Sequence, residues 1–516
     1  MGQAQCTSCC SLQSAADRTD GLAALSLSPK EAVMEREHYV RQHAEKLESV
    51  YFVDSSSTGF IHKSRRAVIY KAINKTTNKE RAVQIFPGEV FRADRWKPMV
   101  DVMKKLDHPH ICRLLEFFVN DSKVAWIIEL PTGRDLLVLF KTHAGQLVES
   151  AVSVICRQMV GAVSHLHDAK VCHAELTPQC FFLTRHFPKA LPLPEICVKL
   201  IDCGRFAVVN SQDEGDDSEA ISGHGPDHYV TVSCRAPEQI ALNGKPGGHA
   251  TVGSHTDVWA LGAILYFGLS SKWPSKVHQK HEHYVHMEPE SLWQKLSSNC
   301  NSFIKNCLHF KATDRPALLT LQESYWMKDA TKALHKAVEK DKASKRKDDQ
   351  LPSGHEIFDG LTATANKSDM ERIAAIAFAR QLPESSLPRI RQLFEEMDTS
   401  GDGRLQVVEF VQGLKKLGQQ IDDIEKITAI LEKVDVDGSG CIEYTEFLAM
   451  MVDLSKQKDK NHVKGAFQVF DTNGDGNISM NEVKEMMGAE AARAFDSIDV
   501  NNDGQLDAKE FQELLK

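Results

Sequence analysis

The last quarter of this 516-residue chain repeats one pattern four times: a twelve-residue acidic loop with glycine at position 6 and glutamate at position 12. The loops occupy 398–409, 435–446, 471–482 and 499–510. Each places side-chain oxygens at positions 1, 3, 5, 9 and 12 and a backbone carbonyl at position 7, the donor set of a seven-coordinate Ca²⁺. The first offers Asp398, Ser400, Asp402, the Arg404 carbonyl, Gln406 through water, and Glu409 as the bidentate closer. The second offers Asp435, Asp437, Ser439, the Cys441 carbonyl, Glu443 and Glu446. The third offers Asp471, Asn473, Asp475, the Asn477 carbonyl, Ser479 and Glu482, and the fourth Asp499, Asn501, Asp503, the Gln505 carbonyl, Asp507 and Glu510. A single match can be a solvated acidic turn, but four in tandem point to a module binding up to four calcium ions.

Position 8 is apolar in every loop (Leu405, Ile442, Ile478, Leu506), which lets two loops pair through a short strand, so four loops imply two lobes. Apolar residues flank the loops at helical spacing, such as Leu393, Phe394 and Met397 before the first and Phe410 after it, so the segment reads as helix, loop, helix, repeated. Residues 391–516 hold 26 Asp+Glu against 14 Lys+Arg, a balance of −12 in a chain of net charge −9. The remainder is near +3, so the acidity is local to the loops and nucleic acid is not an expected partner.

With 42% hydrophobic residues the chain can build two or three cored domains. Its 13 cysteines are odd in number and scattered, and no secretory signal opens it, so reduced thiols and a cytoplasmic location are expected. No apolar run approaches the roughly 20 residues of a membrane span. The extreme N-terminus allows two readings. Gly2, Cys6, Cys9 and Cys10, with no acidic residue before Asp17, form either a dual lipid anchor that would hold the protein peripherally at a membrane, or an unstructured tail. Cys at position 6, where Ser or Thr is preferred, counts against the anchor.

From about residue 50 to 330 strand-like runs (67–73, 81–86, 124–129) give way to helical ones, and a charge-rich stretch from about 336 to 354 reads as a linker. The body contains VMKKLDHPHI (Val102 to Ile111), RAPE (Arg235 to Glu238), DVWALG (Asp257 to Gly262) and DRP (Asp314 to Pro316). In these motifs it resembles the protein kinase family over about residues 50–327. The resemblance implies an ion pair between Glu238 and Arg315, and Asp257 hydrogen-bonded to the catalytic-loop backbone.

The same resemblance locates the groups that transfer a phosphoryl group, and most are missing. Ile61 to Val68, where the glycine-rich loop belongs, has no glycine to let backbone amides approach phosphate. The phosphate lysine falls on Gln84 and its glutamate partner on Met99. The catalytic loop reads His173-Ala174-Glu175, its lysine and asparagine positions are Thr177 and Cys180, and only the metal-binding Asp202 is kept. A positioned base is worth roughly 10²–10⁴ in rate and each electrostatic donor roughly 10²–10³, so these losses together should leave negligible transfer. Against this, Lys63, Arg65, Arg66 or Lys71 could supply a phosphate cation, Glu175 keeps a carboxylate, and Asp202 could hold one metal ion. Nucleotide binding without transfer also stays open through the hinge backbone near Glu129 and Leu130, although ATP and Mg²⁺ are doubtful cofactors. Residues 212–219 read as an unstructured acidic loop, with Ser211, Ser218 and Ser222 beside it.

Kinase-like body, connecting helix and four calcium loops, in that order, resemble the calcium-dependent protein kinase family. The expected fold class is α+β: a bilobal protein-kinase-like fold followed by an all-α calmodulin-like domain of two lobes. The expected domains are 1–49 as an N-terminal extension, 50–327 kinase-like, 328–385 linker and junction helix, and 386–516 calmodulin-like. The resemblance places the junction helix at Ile357 to Leu382, where Ser368 and Glu371 have capping-box spacing ahead of an apolar stripe of Met370, Ile373, Ile376 and Ala377. It implies that calcium makes the loop module grip this helix, its intramolecular partner, and move it. Three functions are then weighed: a calcium-sensing pseudokinase that regulates or scaffolds a protein partner, a calcium-activated kinase of weak or atypical activity, and a calcium buffer. A buffer needs neither the kinase-like body nor the apolar junction.

Overall fold

The computed structural model describes residues 27, 34–43, 45–64, 67–87, 93–120, 123–187, 192–201, 207–208, 230, 232–241, 253–278, 283–344, 352–421, 423–452, 460–491 and 495–515. Asp202, Arg65, Arg66, the acidic stretch 212–219, Ser211, Ser222, Gly2, Cys6, Cys9 and Cys10 lie outside the described residues.

The β-branched and aromatic runs of the first lobe form seven strands: β1 (Arg41–His43), β2 (Tyr51–Asp54), β3 (Phe60–Lys63), β4 (Val68–Asn74), β5 (Glu80–Pro87), β6 (Leu114–Val119) and β7 (Lys123–Ile128). They make one sheet in the order β1-β6-β7-β5-β4-β2, with β3 also paired to β4. Strand β1 lies parallel to β6 and joins residues 41–43 to this sheet, so the body extends past the boundary expected at residue 50. Helix α1 (Ala93–Lys105) packs into the same core through Met99, Val100 and Met103.

The second lobe is helical, built on α2 (Glu149–Asp168) and α3 (Ser254–Ser270). Helix α3 is buried along its length from Thr256 to Leu269, which suits a segment that is apolar on every face. The linker expected from 336 begins inside a helix, Tyr325–Ser344.

The junction is two helices where one was expected: α4 (Gly354–Ala365) and α5 (Asp369–Gln381). The break falls where the Ser368 side chain accepts the Glu371 N–H and Glu371 returns to the Ser368 N–H. A complete capping box starts a new helix, and the residues before it end the old one. Met370, Ile373 and Ala377 are fully enclosed in the core of the calcium module, together with Ile357 and Leu361 of α4. Loop strands Arg404–Leu405 and Ile442–Glu443 pair antiparallel, as do Ile478–Ser479 and Gln505–Leu506, with Leu405 opposite Ile442 and Ile478 opposite Leu506. Among the described residues no helix is long and apolar enough to cross a membrane.

Candidate functional site

The four loops share one backbone frame. The glycine at position 6 is left-handed in each, with φ 80 at Gly403, 84 at Gly440, 92 at Gly476 and 80 at Gly504, a conformation that a Cβ would disfavour. Its N–H donates to the position 1 aspartate: Gly403 to Asp398 at 2.9 Å, Gly440 to Asp435 at 3.0 Å, Gly476 to Asp471 at 3.1 Å, Gly504 to Asp499 at 2.8 Å. One oxygen of the position 12 glutamate accepts the position 9 N–H, at 3.2 Å for Glu409, 3.1 Å for Glu446, 2.8 Å for Glu482 and 2.9 Å for Glu510. Its other oxygen accepts an N–H from position 2 or 3, as from Ser400 at 2.8 Å and Val436 at 2.8 Å. Both ends of each carboxylate are therefore braced toward the loop centre.

These hard oxygen donors fit Ca²⁺. In the second loop Asp435, Asp437 and Glu446 each place an oxygen within 4.8 Å of the others, a spread that donors at about 2.3–2.6 Å from one ion produce. Crowding raises proton affinity: burial first, then Asp402 and Glu409 against the relief from Arg157, pushes Asp398 up to about 7. Burial with Asp437 and Asp107, against Arg36, pushes Glu443 up to about 8. A divalent cation favours the ionised forms instead.

The cleft of the kinase-like body keeps its frame. Arg315 and Glu238 form a two-pronged pair, with both N–H···O distances 2.7 Å. Asp257 accepts the N–H groups of His173 and Ala174, both at 2.8 Å, and so holds Ala174 at φ 69, a left-handed conformation costing a non-glycine residue about 1–2 kcal/mol.

Among the described residues, the groups inside that frame differ from those of a phosphate site. Gln84 on β5 and Met99 on α1 are both buried, so two neutral side chains stand where the family has a lysine and a glutamate. Glu175 pairs with Arg235 at 3.7 Å, and the space bounded by these residues and Leu176 is about 10 Å³, room for no more than one water. The Cys180 thiol meets Thr177 Oγ1 at 3.3 Å. His62, buried on β3, sets its ring edge-on to Phe182 with centroids 6.4 Å apart, joining the strand layer to the floor that follows Cys180. Of the other candidate cations, Lys63 is exposed and Lys71 pairs with Glu80 at 2.5 Å.

The hinge is used from its far side. The Glu129 N–H donates to the Arg113 carbonyl at 3.1 Å, and Pro131, two residues on, has no N–H. The Glu129 carboxylate takes Lys199 at 2.9 Å and Arg113 at 3.3 Å. Burial opposes its charge, but these two cations bring it down to about 2. Lys199 also reaches Glu384, in the turn that joins α5 to the calcium module, at 3.2 Å.

Around this bridge the module is fastened to the body at several points. Arg380 donates to the Leu114 carbonyl at 2.9 Å and Arg113 to the Leu382 carbonyl at 3.2 Å. Asp107 accepts the Thr445 N–H at 2.8 Å and its hydroxyl at 2.7 Å. Arg157 on α2 donates to the Asp398 carbonyl at 2.6 Å, and Gln322 to that of Gly401 at 3.0 Å. Arg157, Lys199 and Glu384 have no sign in the sequence, and Asp107 shows only as part of the motif Val102 to Ile111, because the partner of each lies in a distant segment. The calcium loops and the kinase-like frame thus form one continuous packed structure.

Comparison with known proteins agrees with this division. Residues 63–327 match the protein kinase domain family, 387–452 the EF-hand domain pair, and 463–487 and 492–515 the EF hand. Calcium-dependent protein kinase 5 of Plasmodium berghei (strain Anka) is 25% identical over 454 residues, covering 86% of this chain and 72% of its own. Calcium-dependent protein kinase 5 of Plasmodium falciparum (isolate 3D7) is 25% identical over 504 residues, covering 94% and 79%. Calcium-dependent protein kinase 7 of Arabidopsis thaliana is 26% identical over 399 residues, covering 76% and 67%.

Proposed function

Because this chain belongs to the calcium-dependent protein kinase family, and so pairs a kinase fold with calcium-binding EF hands, we propose that it is a calcium-sensing pseudokinase. Its kinase-like body serves as a scaffold for a protein partner. Asp398, Asp435, Asp471 and Asp499 with their loop-mates, closed by Glu409, Glu446, Glu482 and Glu510, hold the ions.

The observation that carries this reading is the contrast at Glu129. The hinge residue that would border a nucleotide sends its carboxylate to Lys199 and, through it, to Glu384 in the turn that joins α5 to the calcium module. Calcium therefore acts on the side of the hinge away from the cleft, where Asp107, Arg113 and Arg157 meet the loops and α5. Calcium supplies charge neutralisation and a fixed coordination shape. The chain's own helices convert that into a shift of α4 and α5, which their apolar stripes couple to the module core. In the cleft, the buried Gln84 and Met99 stand in place of the family's lysine and glutamate, and Glu175 is engaged by Arg235, which supports a body without phosphoryl transfer.

The test is phosphoryl transfer from Mg·ATP to a mixed peptide library by the full chain, in EGTA and in saturating Ca²⁺, with Glu175→Gln as control. Hydrogen exchange across Thr445 and Leu382 is read on the same samples. The reading expects exchange to respond to calcium with no transfer above the control. Calcium-stimulated transfer that Glu175→Gln abolishes would replace it with the atypical-kinase reading, in which Glu175 and Asp202 do the chemistry.

A further inference from the structure

Residues 34–43 form a strap that lies across the calcium module before entering the kinase-like sheet as β1. Met34 and Tyr39 are buried in the module's core, and the Arg380 guanidinium lies 5.7 Å from the Tyr39 ring centre. Between these two anchors Arg36 turns into the second calcium loop. Its Nε pairs with Asp437 and its Nη1 with Glu443, positions 3 and 9 of that loop. A cavity of about 20 Å³, room for a water, is bordered by Arg36 and Arg380 and by Asp107, Asp437, Glu443 and Glu446. At the first loop the arginine contact differs in kind, because Arg157 donates to the Asp398 backbone carbonyl, which is no ligand in the twelve-residue scheme.

We infer that the Arg36 guanidinium and a calcium ion compete for the carboxylates of the second loop, so that calcium binding there loosens the 34–43 strap. The inference rests on the calcium-sensor reading and adds which loop opposes calcium and by what group. An ion held between Asp435, Asp437 and Glu446 must share the Asp437 carboxylate with the guanidinium that already neutralises it and Glu443. A positive charge beside a divalent ion in a partly buried pocket is also poorly screened. Coupling is reciprocal: whatever factor the strap costs calcium, calcium costs the strap.

The consequence reaches the kinase-like body. Arg36 Nη1 also donates to the Lys105 carbonyl at 2.9 Å, at the C-terminal end of α1, and Lys105 pairs with Glu37 at 3.0 Å. The strap thus staples the end of α1 to the second loop, and loosening it frees α1 from that side. Arg41, at the other end of the strap, lies beside Gly474 of the third loop, with Nη2 3.2 Å from where a Cβ would stand. The strap therefore presents a cation to each lobe.

The experiment is a calorimetric calcium titration of the full chain as wild type, Arg36→Ala, Arg36→Lys, Glu446→Gln and the Arg36→Ala/Glu446→Gln double variant. Hydrogen exchange of residues 34–43 is followed in EGTA and in Ca²⁺. Arg36→Ala should tighten one binding step by roughly five- to a hundredfold, the usual span of a coupling between two sites. Arg36→Lys should stay near wild type, the gain should vanish when Glu446→Gln disables the loop, and calcium should speed exchange in the strap. Calcium affinity unchanged or weakened in Arg36→Ala, a gain that survives Glu446→Gln, or strap exchange that slows with calcium overturns the inference alone. A wild-type chain that binds no calcium overturns the sensor reading with it.

Discussion

The calcium loops and the catalytic cleft are both sites in which a rigid backbone frame positions side chains, and only in the loops do the side chains still suit the frame. In each loop a left-handed glycine and a doubly braced glutamate aim oxygens at one point. In the cleft Asp257 and the pair of Arg315 with Glu238 hold the catalytic loop as firmly, yet the groups presented are Ala174, a paired Glu175, Thr177 and Cys180. Scaffold residues serve stability and docking whether or not chemistry follows. Their presence keeps the fold, and on the proposed reading that fold is a shape to which the module binds.

The sharpest way to break this contrast is to remove the scaffold. Arg315→Ala leaves Glu238 without its partner next to the buried guanidinium site, and losing one member of such a pair costs about 3–5 kcal/mol. A chemical denaturation curve should show that loss in the kinase-like transition, with the calcium titration of the module unchanged. Next in size, Glu482→Gln removes a charge and the bidentate closer of the third loop. That loop's affinity should fall by about a hundredfold or more, read by equilibrium dialysis, with the kinase-like transition unmoved.

The seam between the regions gives a smaller effect. Asp107→Ala leaves the buried Thr445 N–H and hydroxyl unpartnered, at a cost of about 1–3 kcal/mol, visible as faster proteolysis between body and module. A pH effect of similar origin comes from His110. Burial, then the neighbouring His108 and Arg391, hold it well below its ordinary value. Its Nδ1–H donates to the Val198 carbonyl at 2.9 Å, and Nε2 faces Glu395 at 3.4 Å. The unfolded chain protonates this ring near pH 6.5 and the folded one does not, so its contribution is whole above 6.5 and declines as pH falls below it. One unit lower the loss is about 1.4 kcal/mol, and His110→Gln should flatten that slope in a melting series from pH 7.5 to 5.5. Smallest of all, Glu175→Gln weakens the pairing with Arg235 and should cost about 0.5–1 kcal/mol of stability, with no effect on the calcium titration.

These effects also mark what the chain's letters could tell. The loops were legible to the residue because their chemistry is local: twelve consecutive positions contain the whole site. The Glu238 and Arg315 pair was reachable only through resemblance, since 77 residues separate its members. The resemblance implies one junction helix from Ile357 to Leu382, whereas the capping-box spacing of Ser368 and Glu371, a local signal, marks the start of the second helix that the structure has. Arg36, Lys199 and Glu384 have no local signature, and the motif that contains Asp107 does not foretell its bond to Thr445, for each acquires its role only when the module folds back on the body. The sheet's first strand, Arg41–His43, was missed for the same reason: three residues carry no periodicity.

The account turns on calcium acting on a body that has no use for nucleotide, and a thermal melt of the full chain with both ligands tests it most directly. Ca²⁺ against EGTA, each with and without millimolar Mg·ATP, should give a calcium shift and no nucleotide shift. A ligand held at about 100 times its dissociation constant adds about 2.7 kcal/mol to the state it binds, which such a melt resolves. A Mg·ATP-dependent rise of that order, in either calcium condition, would contradict the account and restore the cleft as a working site.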